Sequence, residues 1–153
     1  MSGWIRTLIA FVAAVIVGGL ATTLLSTQIV LLYLAGAGAD IPLAARSDAM
    51  LADLTGFAPT LILLTAIGYL IALPVAALVS RLVGGLRTIG YVLAGFATIL
   101  VMVTAIEVFY QSVLGVGITP IASAREFWGL AMMALGGALG GWVFALLARS
   151  RNA

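Results

Sequence analysis

The 153-residue chain has no histidine, no cysteine and no lysine, and only 8% of its residues are charged. Without histidine or thiolate it lacks the usual ligands for haem, zinc and iron–sulfur clusters, and it can form no disulfide. Without lysine there is no amine for Schiff-base chemistry. A membrane enzyme built on this chain would have to work with a few Asp, Glu and Arg side chains. We therefore expect no catalysis, no cofactor, no metal site and no nucleic-acid partner.

What remains is apolar. Hydrophobic residues make up 64% of the chain and the mean hydropathy is +1.29, whereas a soluble domain carries about 25% charged residues. Four long apolar runs stand out, at about 7–34, 57–79, 88–114 and 127–148. Each reaches the roughly 20 residues that cross a bilayer as a helix. The expected fold is an all-α integral membrane protein, a single bundle of four transmembrane helices over residues 1–153. Its connections are 35–56, 80–87 and 115–126. The first run resembles a signal peptide, with Arg6 before it and "AGAGAD" after it. It is about twice the 7–15 residues of a signal h-region, so an uncleaved helix is the better reading.

All seven cations are arginine. With the Ala- and Gly-rich usage, this points to a GC-rich bacterial genome and so to a bacterial inner membrane. Arg6, Arg81, Arg87, Arg149 and Arg151 fall on one side of a four-span arrangement. Arg46 and Arg125 lie on the other, with Asp40, Asp48, Asp53 and Glu126. By the positive-inside rule, both termini face the cytoplasm. The five arginines on one face are read first as setting topology, with attraction of anionic membrane lipids as the weaker alternative.

The connections carry their own signals. Gly84 and Gly85 in "SRLVGGLR" mark a tight turn. In "DIPLAARSDAMLADL", Ile41, Leu43, Ala44, Met50, Leu51 and Leu54 alternate with charged residues at helical spacing, which predicts a short amphipathic helix at the outer surface. Pro59 opens the second span, and Pro74 is expected to kink it. Thr119 and Pro120 read as N-cap and first residue of the fourth helix. Trp4, Trp128 and Trp142 occupy interfacial positions. "DIPLAARSD" and "ITPIASARE" resemble each other. A duplicated hairpin would explain this, but so would the shared composition of membrane interfaces, which is the stronger account.

Two features bear on function. In "GLAMMALGGALGGWVFALL", Gly136 with Gly140 and Gly137 with Gly141 form two overlapping small-xxx-small pairs. Such a face admits a close helix, either a neighbour in the bundle or a partner chain. The second feature is Glu107 in "TAIEVFYQS". It lies 19 residues beyond Thr88 (107 − 88), about 28 Å along a helix in a slab of about 30 Å. That places it near the outer interface, within reach of Gln28, Gln111, Arg125 and Arg46, which are expected to form an outer polar cluster with it. The leading functional expectation is a non-catalytic accessory, structural or assembly subunit that packs against a larger membrane complex or self-associates. The alternative is a small proton- or ion-coupled transporter or channel using Glu107.

Overall fold

The computed structural model of the protein describes residues 3–83, 86–115 and 120–148. Thr119, Gly84, Gly85, Arg149 and Arg151, which figured in the reading above, lie outside the described residues. Within them the chain forms α1 (Gly3–Gly36), α2 (Leu43–Gly56), α3 (Ala58–Val83), α4 (Arg87–Ser112) and α5 (Phe127–Leu147), with one 3-10 turn at Ala122–Ala124 and no strand. Four of the helices, α1, α3, α4 and α5, are long and apolar enough to cross a membrane. The protein is a multi-pass membrane protein built on a four-helix bundle.

Helix is the form these segments must take in lipid, because no water is present to bond a free backbone amide or carbonyl. In the bundle α5 lies between α1 and α4, and α3 closes the other side against the same two helices. Helices α3 and α5 are therefore diagonal. One end of the bundle carries Arg6, Arg81 and Arg87. The opposite end carries Asp40, Asp48, Asp53, Glu107 and Glu126, near the ends of α1 and α4, in α2 and before α5.

The interior inverts the pattern of a soluble protein. Leu63, Leu70 and Ile71 point outward and are more than 60% exposed, while Thr22, Thr23, Ser26, Thr27, Thr65 and Thr98 are buried. Lipid rewards no apolar residue for leaving it, so the helices are held by close van der Waals contact and interhelical hydrogen bonds. One stripe on α1 shows how. Ala10, Ala14, Gly18, Thr22 and Ser26 recur every four residues, all small and all buried, and they form the groove into which α5 settles. Two apolar clusters flank this small-residue layer. One, at the arginine end, includes Tyr69, Leu73, Tyr91 and Phe144. The other, at the acidic end, includes Ile29, Ile99, Val103 and Met133.

One expectation about the connections needs correction. Pro120 does not begin the fourth helix. Ile121 is extended (φ −107°, ψ 102°), the 3-10 turn follows, Glu126 is extended again, and only Phe127 starts α5. The turn is held inward by Ser123, which bonds Ser26 of α1 at 2.6 Å. Its carbonyl lies where a side chain at residue 129 would sit, so Gly129 is what lets the link fold back over α5.

Helix α2 forms in the segment where the sequence pattern placed a short helix. Arg46, Ala49, Met50, Asp53 and Leu54 are half-buried against the bundle, while Leu43 and Leu51 are 82% and 61% exposed. The Thr27–Asp53 hydrogen bond and the half-buried Met50 and Leu54 dock this helix. A single residue, Phe57, separates α2 from α3. The break falls where Pro59 has no amide to bond the Thr55 carbonyl. Helix α3 continues past Pro74 to Val83.

Candidate functional site

The four glycines of α5 face two different neighbours. A Cβ on Gly136 would strike the backbone of Thr22 in α1, and one on Gly140 would strike Ala14 and Gly18 of the same helix. A Cβ on Gly137 would strike Gly95 of α4, and one on Gly141 would strike Tyr91. Both small-xxx-small pairs are thus occupied inside the chain, and neither is open to a partner. All four glycines are buried.

At the centre of this layer stands Tyr69 of α3, fully buried. Its hydroxyl donates to the carbonyl of Gly137 and lies 2.7 Å from where a Cβ on Gly18 would be. The side chain crosses the diagonal of the bundle, and only residues without side chains leave it room. Above it sit Thr22, whose hydroxyl donates to the Met133 carbonyl at 3.3 Å, and Thr98, which donates to Ala94 of its own helix at 2.7 Å. Thr65 is fully buried and its hydroxyl has no hydrogen-bond partner.

At the acidic end, of the expected cluster of Gln28, Glu107, Gln111, Arg125 and Arg46, the pair hydrogen-bonded to each other among the described residues is Glu107 and Gln111. Gln28 donates to the sulfur of Met50 at 3.3 Å. Glu107, half-buried, accepts from Gln111 at 3.2 Å, one turn along α4, and borders a cleft formed with Val103, Pro120, Ile121 and Ala124. Arg125 is exposed and Arg46 half-buried. No hydrogen bond among the described residues ties either one to Glu107.

The bonds that do form here join residues the sequence reading did not place in the cluster. Thr27 lies 2.6 Å from an Asp53 carboxylate oxygen and 3.0 Å from the Thr23 carbonyl. The hydroxyl has one proton, and the shorter, charge-assisted contact takes it. Ser123 donates to the Met133 sulfur at 3.0 Å, so Ser26 is the donor in the Ser26–Ser123 pair. Trp128 donates its indole N–H to Glu126 and meets Tyr33 edge to face at 5.3 Å. Glu126 stands at the N-terminus of α5, where a carboxylate favours the helix dipole.

Beside a cleft of about 370 Å³ under α2, lined by Thr27, Asp53 and Pro120 among others, two further concave surfaces stand out. Between α3 and α4, at mid-height, an apolar groove of about 330 Å³ is floored by Gly68, Ala72, Ala97 and Thr98 and walled by Leu64, Ile67, Ile71, Val101 and Met102. At the arginine end, a cavity of about 440 Å³ opens between the helices, with Tyr69 at its base and Trp4, Arg81 and Arg87 on its walls. Among the described residues no group of His, Cys, Asp and Glu side chains is arranged to hold a metal ion. Comparison with protein-family models, with curated proteins and with solved structures gave no match in any of the three.

Proposed function

We propose that the chain is a non-catalytic subunit of a bacterial inner-membrane assembly, with both termini cytoplasmic, and that it works by lateral contact. Its α3–α4 groove seats a transmembrane helix of a partner protein. The observation that carries this reading is the contrast between its small-residue surfaces. Those of α1 and α5 are sealed inside the bundle, whereas Ala72 and Ala97 on α3 and α4 floor a groove that opens outward with almost wholly apolar walls. Small residues at the floor and long ones at the rim are the shape against which a helix packs closely in lipid.

Transport through Glu107 has less behind it. Among the described residues its hydrogen-bond partner is Gln111, at the same end of the same helix. The mid-height hydroxyls mostly bond backbone carbonyls rather than forming a chain toward it. The test of the lead reading is native mass spectrometry after mild solubilisation. A complex with a second membrane protein is expected. A homodimer would replace the partner by a second copy, and a lone monomer under detergents that preserve other assemblies would contradict the proposal.

A further inference from the structure

We infer that the cavity at the arginine end binds one anionic phospholipid, its phosphate on Arg81 and Arg87 and one acyl chain along the apolar wall. This inference is independent of the partner reading, since it rests on the opposite surface features. The cavity, of about 440 Å³, is lined by both arginines together with Leu8, Phe11, Leu73 and Phe144. Its lining therefore changes from cationic to hydrocarbon, as a phospholipid does from head to tail.

The charge at this end is unbalanced. All five carboxylate side chains belong to the opposite end of the bundle. The Arg87 guanidinium lies 5.7 Å over the ring of Tyr91, which orients it without neutralising it. Close by in sequence to the rim residues Trp4 and Thr7, the buried Nε of Arg6 has no hydrogen-bond acceptor. A phosphate diester supplies a negative charge and several acceptor oxygens, and arginine is the side chain suited to hold it.

Pro74 adds a second element. Its ring removes the amide that would bond the Leu70 carbonyl, and both residues line the cavity. Arginines placed at the ends of α3 and α4 sit at headgroup level when those helices span the bilayer. The occupant is therefore a membrane lipid and not a free phosphate ion.

The experiment is lipid titration of the purified full-length protein, read by native mass spectrometry. It compares phosphatidylglycerol with phosphatidylcholine of identical acyl chains. Wild type is expected to retain one phosphatidylglycerol at least tenfold more tightly than phosphatidylcholine. Arg81→Gln/Arg87→Gln is expected to lose about thirtyfold in phosphatidylglycerol affinity, two cations' worth of surface attraction. Ala77→Trp, at a half-buried position on the cavity wall, fills the cavity while leaving both charges, and should weaken binding to a similar degree at an unchanged unfolding midpoint. Equal retention of the two lipids by wild type would overturn the inference without any variant. Retained preference in Ala77→Trp would also overturn it, by reducing the effect to surface charge outside the cavity.

Discussion

The Tyr69 hydroxyl of α3 donates to the Gly137 carbonyl of α5, the helix diagonally opposite, through a gap left by Gly18 and Gly140. One side chain thus ties together helices whose backbones do not otherwise meet closely, and the glycines exist in pairs because two helices must approach α5 at once. Removing the hydroxyl alone, in Tyr69→Phe, should cost about 0.6 kcal/mol, the average for interhelical hydrogen bonds in a membrane protein, and no more than about 1.7. Reversible unfolding in mixed micelles measures this. No change would mean that the ring, and not the bond, secures the diagonal.

Glycine substitutions should divide sharply by position. Gly141→Ala drives a methyl into the Tyr91 carbonyl, a backbone atom that cannot move aside, and should destabilise by about 1–3 kcal/mol. Gly36→Ala meets nothing within 4 Å and should be neutral or slightly stabilising, since alanine is the better helix former. Thermal unfolding of the two variants side by side checks the contrast.

Helix α2 has no fully buried residue, so the Thr27–Asp53 bond is a large share of what holds it against the bundle. Asp53→Ala removes the acceptor for Thr27 and should release α2 while the four long helices stay folded. Amide exchange over residues 46–54 is expected to rise severalfold with little change elsewhere. Uniform exchange across the chain would show that α2 is integral to the bundle.

Glu107→Gln keeps a carbonyl oxygen able to accept from Gln111. The variant should fold as wild type and leave ion or proton flux into reconstituted vesicles at the level of empty ones, as for the unsubstituted protein. Wild-type flux above that background that vanishes in Glu107→Gln would restore the transport reading.

The long apolar runs and their flanking charges revealed four of the five helices, because bilayer thickness and backbone bonding leave so few alternatives. The Gly136/Gly140 and Gly137/Gly141 pairs were equally plain as close-packing surfaces. Their partners were not, since spacing gives a helix face but not the helix opposite it. The four-residue recurrence of Ala10, Ala14, Gly18, Thr22 and Ser26 was present to be read and identifies α1 as one neighbour. Tyr69 carried no signal, being one aromatic among apolar residues. Glu107 drew attention as an isolated carboxylate, yet Asp53, in a segment read as surface, makes the interhelical bond. The Ser26–Ser123 contact spans 97 positions, and no local pattern announces a pairing of that separation.

The account stands or falls on the α3–α4 groove. Ala97 is exposed on its floor, so Ala97→Trp should fill it without disturbing the bundle, whereas Leu135→Trp puts the same side chain at a lipid-facing position on α5. Native mass spectrometry of wild type and both variants, with their unfolding midpoints measured in parallel, is the most direct measurement. The account predicts a complex for wild type and Leu135→Trp, its loss in Ala97→Trp, and the same midpoint for all three. A complex that survives the filled groove would contradict it.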